Sequence, residues 1–212
     1  MPYRETAQTE ARRRATRERI VAGCLAQVAD SGYSSASVSA IAARAGVAVG
    51  TFYRHFPSKS DLLAEAFTNA AEPELAVVAA VTEPDGRSAA QRCAAGAEAF
   101  CRRALAAPTL AYAQIAEPVD PAVERERLRL RRGYRDVFAG VLDDGVASGE
   151  LSAHDTTTVA AALVGGLGEA LVRPLGDGVD RRSEALVATL VQFCLHCLPT
   201  KAGATDTPLA AR

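Results

Sequence analysis

Aromatic residues are scarce in this 212-residue chain: they make up 5% of it, with no Trp and a single Met. Its core has to be assembled mainly from Ala, Leu and Val, which suits closely packed helices. The shortage of Met also speaks against a broadly adaptable binding surface. Strand signals are nearly missing, with no sustained two-residue alternation and no Asn-Gly or Asp-Gly pair joining two apolar runs. No apolar stretch approaches the ~20 residues of a membrane span, and the N-terminus Met1-Pro-Tyr-Arg-Glu-Thr lacks the apolar core of a secretion signal. A cytoplasmic protein without membrane contact is expected. Five cysteines (Cys24, Cys93, Cys101, Cys194, Cys197) are an odd number, and with no export signal a disulfide framework is not expected. A glycine-rich phosphate loop, a Gly-x-Ser-x-Gly elbow and paired metal-ligand motifs are all lacking, and His55, His154 and His196 fall in no catalytic set. Neither an enzyme nor a bound cofactor or metal is expected.

What is present is a globular composition, 49% hydrophobic and 23% charged. A chain of this length buries roughly 70% of its unfolded surface and folds without staples. The net charge of -1 hides an asymmetry: residues 1–62 carry nine bases against five acids, and the remainder 15 bases against 20 acids. A basic segment on an acidic one suits a head that binds a polyanion and a body that does not.

Helical periodicity recurs along the chain. The first helix is expected over about 10–30, with Ile20, Val21, Cys24, Leu25 and Val28 on one face and Gly32 beyond its end. Ser37 caps a short second helix that stops at Gly46. A third runs from about Ala48 to Phe56, and Ser58-Lys59-Ser60-Asp61 opens a fourth through Phe67. The pattern loosens after Glu72-Pro73. Further helices are expected over 88–106, 108–116, from Asp120-Pro121 to about Ser148, from Asp155 to Pro174, and over about 181–198. The expected organisation is a basic, polyanion-binding head (1–58), a helical body (59–198) and a disordered tail (199–212).

The informative stretch runs from Ser37 to Phe56: two short helices joined at Gly46, with Ala42 and Ala45 small enough for a close crossing. Ile41, Val47, Phe52 and Phe56 supply the apolar positions that fix the pair to the first helix. A helix-turn-helix is built in this way, its second helix held out to enter the DNA major groove. Thr51, Tyr53 and His55 offer donors for phosphate oxygens. Lys59 lies at a helix N-terminus that already favours an anion, and Ser37 marks another. Gly50 permits close backbone approach. Such contacts position a protein on DNA without reading sequence. Arg12, Arg13 and Arg14 fit equally a solvated helix face or contact with the nucleic-acid backbone.

The spacing of Ser37-Val38, Ile41-Ala42, Ala45-Gly46-Val47, Gly50-Thr51-Phe52-Tyr53, His55-Phe56, Ser58-Lys59 and Leu62-Leu63 resembles that of the TetR family of transcriptional regulators. The resemblance implies an all-α, Ω-shaped homodimer, each subunit having a three-helix helix-turn-helix head and a larger effector-binding and dimerisation body. It implies DNA contacts from Ser37, Ser39, Gly50, Thr51, Tyr53, His55 and Lys59, and a function as a repressor released from its operator by a small molecule. Two positions depart from the family pattern. Ala48 stands where a capping residue is usual, at a cost of ~1 kcal/mol. Val49 stands where a polar base-reading residue is frequent, and it touches a thymine methyl at most. Direct readout then falls on Thr51, Ser39 and Arg44.

An effector site needs apolar walls and a few polar groups. Candidates are Phe100, Cys101, Tyr112, Gln114, Tyr134, Phe138 and Leu163, each of which fits plain core packing as well. The last two helices carry apolar stripes, and Gly165, Gly166 and Gly168 allow close approach, so two copies would form a four-helix interface. Cys194-Leu-His-Cys197 has half the spacing of a metal site but no second pair nearby. Metal or redox sensing through these two cysteines is one alternative function, and a helical interaction protein without DNA binding is another.

Overall fold

Residues 7–177 and 184–200 are described by the structure, a computed structural model. Among these residues the chain is all-α: α1 (Ala7–Ser31), α2 (Val38–Ala45), α3 (Val49–His55), α4 (Lys59–Val81), α5 (Ala89–Ala106), α6 (Pro108–Ile115), α7 (Pro121–Ala147), α8 (Thr156–Gly176) and α9 (Glu184–His196).

Local chemistry sets most of the boundaries. Gly32 follows α1 at φ 77° and donates its N–H to the Val28 carbonyl. The Ser37 hydroxyl accepts the Ala40 N–H at 3.2 Å, and Gly46, at φ 64°, closes α2. Ser58, Asp120 and Asp155 cap α4, α7 and α8, accepting N–H groups from Asp61, Ala122 and Thr158. Ser88 and Gln91 form a reciprocal capping box at the start of α5.

Two expected helix ends are overridden. Pro73 loosens the pattern in sequence, yet α4 runs through it to Val81; Pro174 likewise lies inside α8. A proline ring deletes one backbone hydrogen bond, but the far half of α4 is pressed against α7. There a Cβ on Gly133 would come within 2.6 Å of Leu75 Cδ2, so the end of that side chain would have to shift to admit a larger residue. α8 is also apolar and long enough, at 21 residues, to cross a membrane by length and composition, which corrects the expectation that no such stretch exists. Its Leu163, Leu167, Leu171 and Leu175 are buried in the body core, which accounts for much of that apolarity.

Two apolar cores result. One joins α1, α2 and α3 through Ile20, Cys24, Ile41, Phe52 and Phe56, and extends into Leu62, Leu63 and Phe67 of α4. The head's packing therefore continues past residue 58, and Ala113 and Val123 also reach it from the body. The second core fills the space between α5, α7, α8 and α9. Of the expected tail, Pro199 and Thr200 are described: the Pro199 carbonyl accepts the Ser152 N–H at 2.8 Å and Thr200 forms an isolated bridge with Leu151. The rest of that tail, 201–212, lies outside the described residues, as does the expected start of the last helix near 181.

Candidate nucleic-acid interface and body cavity

α1 and α2 cross closely because Gly23 carries no side chain: a Cβ there would lie 3.1 Å from the Ala45 nitrogen and 3.2 Å from the Ile41 oxygen. α3 is rooted by Phe52 and Phe56, both fully buried, with ring centroids 5.9 Å apart. Arg17 of α1 clamps its far end. The guanidinium lies 4.0 Å from the Phe56 ring centroid, donates to the His55 carbonyl at 2.6 Å and pairs with Glu65. Arg17 escaped the sequence motif, although it falls on the same face of α1 as Ile20, Val21 and Cys24.

With α3 held from behind, its other side is open. Val49 is 44% exposed and Tyr53 54%, and Gly50 is exposed with no heavy atom within 4 Å of a built Cβ. Thr51 is half-buried, its hydroxyl accepting from Arg54 at 2.9 Å. No side chain caps α3 at Ala48. Ser37 and Ser39 stand at the start of α2 with hydroxyls 3.1 Å apart, and Lys59 begins α4. Arg44 is engaged within the head: its Nε donates to Gln27 at 2.8 Å and its guanidinium pairs with Asp30, both on α1. His55 borders a shallow basic cleft with Arg13, Arg14 and Arg17 of α1, which also holds Glu10. Its pKa is pushed below the ordinary histidine value by desolvation, then by the charges of Arg13, Arg17 and Arg54.

The body holds a cavity of about 760 Å³, bordered by α4, α5, α6, α7 and α8. Of the expected lining residues, Phe100, Gln114 and Tyr134 border it, the two rings meeting edge to face at 5.3 Å. The other four do not. Cys101, Phe138 and Leu163 are buried against neighbouring helices, and Tyr112 lies against Gly176 at the end of α8. The cavity wall also contains Arg103, Arg127, Arg131, Arg132 and Arg135, none of which the apolar pattern of α7 or α5 singled out.

One wall residue connects cavity and head. Arg127, buried among apolar neighbours, donates to the carbonyls of Ala113 at 3.2 Å and Glu117 at 2.6 Å, and to Glu124 at 2.9 Å. The Glu117 carboxylate in turn accepts the backbone N–H groups of Tyr33 and Ser34, each at 2.8 Å, in the loop between α1 and α2.

Cys194 and Cys197 part company. Cys194 is fully buried, its thiol pushed up to about 12 chiefly by desolvation, whereas Cys197 is exposed. Among the described residues no three His, Cys, Asp or Glu side chains are grouped to hold a metal ion.

Comparison with known proteins follows these two regions. Residues 20–66 match the model of the bacterial regulatory proteins of the tetR family. Over 53 residues the chain is 49% identical to the HTH-type transcriptional repressor KstR of Mycolicibacterium smegmatis, a stretch covering 25% of this chain and 26% of that protein. The match thus spans about a quarter of the curated relative's length. The body is similar in fold rather than in sequence. The regulator FadR of Bacillus subtilis, solved in complex with stearoyl-CoA, superimposes with a TM-score of 0.73 at 21% identity, covering 84% of this chain and 97% of its own. A TetR family regulator from a Shewanella species gives 0.66 at 23% identity, covering 86% and 97%. Residues 20–66 therefore carry the sequence pattern of the tetR family, and the chain shares the fold of these solved regulators over more than four fifths of its length.

Proposed function

We propose that the protein is a sequence-specific DNA-binding transcriptional regulator, a repressor that leaves its operator when a small molecule occupies the body cavity. The single observation that carries this is the exposed side of α3. Val49, Gly50 and Tyr53 are presented outward by a helix whose opposite side is locked by Phe52, Phe56 and Arg17. Among the described residues nothing lies within 4 Å of a Cβ built on Gly50, so its bare backbone is open to close approach by a duplex. Thr51, Tyr53 and His55 on α3, Ser37 and Ser39 on α2, and Lys59 at the start of α4 supply donors for phosphate and base edges. Arg44 reaches bases only by giving up Asp30, so its first role is to hold α2 on α1. A head over 1–58 and a body over 59–198 are part of this reading, supported by α4 contributing to both apolar cores.

Binding in the cavity is coupled to the head through Arg127 and Glu117. A ligand that moves α6 or the start of α7 shifts the Glu117 carboxylate, and with it the loop from which α2 departs. Two heads on a two-fold axis have to match half-sites ~34–36 Å apart, so a ligand that prefers the mis-spaced state releases DNA. A homodimer through α8 and α9 is part of this proposal. The repressor role of the KstR relative and the acyl-CoA bound by FadR support repression and an internal effector respectively.

Gel shift against the DNA upstream of the protein's own gene tests the reading. Binding specific over random DNA, falling steeply with salt, is the expected result. Equal affinity for both DNAs, or none for either, overturns it. Metal or redox sensing is disfavoured by the separation of Cys194 from Cys197 in burial.

A further inference from the structure

We propose that the body cavity is built for an amphipathic anion, a molecule with a carboxylate or phosphate at one end and an apolar body at the other. This rests on the effector reading above and assigns the chemistry of its ligand.

The charge of the wall carries the inference. Five arginines border the cavity against two carboxylates, Glu74 and Glu169, although the chain beyond residue 62 is acidic as a whole. Arg103 is neutralised by Glu74 and Arg135 by the adjacent Asp136. Arg131 and Arg132 are not matched in this way. Among the described residues Arg131, which is exposed, makes one hydrogen bond, to the Ile115 carbonyl at 3.2 Å, and no carboxylate pairs with the exposed Arg132. Arg131 also stands close enough to Arg127 for the two cations to repel, which adds to the cost of burying Arg127. A cluster of like charges beside a low-dielectric wall is relieved when an anion enters it.

A second observation is independent of charge. Gln114 and Arg127 both belong to this wall, and each has a buried N–H with no acceptor among the described residues: Nε2 of Gln114 and Nε of Arg127. Unpaired buried donors are costly, and both orphans here call for an acceptor, not a donor. The same wall is also apolar in part, with Val78, Phe100, Ala104 and Val164 among its borders. The wall therefore offers cations and N–H donors to an oxyanion and apolar side chains to a hydrocarbon, within a volume typical of sites for small organic ligands.

The test is isothermal titration of the full-length protein with three ligands of one chain length, namely decanoate, decyl phosphate and decanol. Each is also added to the operator complex in a gel shift. Either anion is expected to bind about tenfold or more tightly than decanol, with the margin shrinking as salt is raised; whichever anion leads identifies the headgroup. The double variant Arg131→Ala/Arg132→Ala is expected to lose the margin, and Arg131→Lys/Arg132→Lys to keep most of it. Decanol binding as well as the anions, an undiminished margin in the alanine variant, or no binding of any of the three overturns the assignment. Decanol matching the anions while all three release DNA refutes the anion site but leaves the effector reading intact. Anion binding that leaves the operator complex unchanged supports the site and refutes the effector reading.

Discussion

The side chain of Glu117 reaches the backbone of Tyr33 across 84 positions of sequence, accepting its N–H at 2.8 Å in a buried joint between body and head. The same carboxylate takes the Ser34 N–H, and its oxygens occupy the space beside Gly32 where a Cβ would stand. Glu117→Ala leaves two N–H groups at this joint without their acceptor. A loss of about 1–3 kcal/mol in folding stability is expected, measured by urea denaturation. The more telling readout is coupling: the variant should still bind operator but respond less to an effector. If its DNA release matches the parent protein's, Glu117 does not transmit the signal.

Thr51 and Lys59 separate sequence reading from positioning. Thr51 sits mid-way along the outward side of α3, and Lys59 lies at the head of α4 where helix N–H groups already favour phosphate. Thr51→Ala is expected to weaken operator binding by about 1 kcal/mol or more while sparing random DNA. Lys59→Ala should weaken both alike and reduce the salt slope by about 1. Fluorescence anisotropy on the two DNAs across a salt series distinguishes them. Equal losses on both DNAs for both variants refute the division of labour.

Most helix ends, in head and body alike, were legible in the sequence because their determinants are local. Ser37, Gly46, Ser58, Asp120 and Asp155 announce helix ends through bonds that span only a few residues. Pro73 misleads for the converse reason: the contact that overrides it, Leu75 against Gly133, lies far away in sequence. In the cavity, periodicity tells which residues face inward but not which of them border empty space. Phe138 and Phe100 share that inward bias, yet Phe138 is filled around by neighbours and Phe100 borders the opening. The wall arginines were invisible because an Arg on a helix ordinarily marks solvent. Glu117, in the short loop before Asp120, gives no local hint of the Tyr33 and Ser34 amides it binds.

His55 supplies a pH test. Desolvation and three nearby arginines hold its pKa below 6.5 in the free protein. A DNA phosphate at hydrogen-bond distance favours the charged ring and raises that value. Binding then takes up a proton, so operator affinity should rise as pH falls through the ordinary histidine range, about 6.5 and below. His55→Asn should flatten the dependence while sparing the carbonyl that Arg17 grips. The sign for folding is opposite: with the folded value depressed, the free protein should lose stability as pH drops below 6.5. Kd measured in several buffers for both proteins checks the first claim, and an unchanged slope in the asparagine variant refutes it.

The dimer is the remaining requirement, since one head alone cannot match paired half-sites. On α9, Phe193 is 37% exposed although large and apolar, and its ring lies over Gly166 of α8, where a Cβ would come within 2.9 Å. Ala162, one turn before Gly166, is exposed as well. Helices with small residues on an outer side and one protruding ring are suited to close packing against a second copy. Ala162→Glu places a charge on that side without disturbing the chain's own core, so the monomer should fold with unchanged helicity. Sedimentation at micromolar concentration is expected to show a dimer for the parent protein and a shift to monomer for the variant, accompanied by loss of operator binding. A parent protein that sediments as a monomer, or a charged variant that remains dimeric and DNA-competent, places the interface elsewhere and removes the geometric basis for release by an effector.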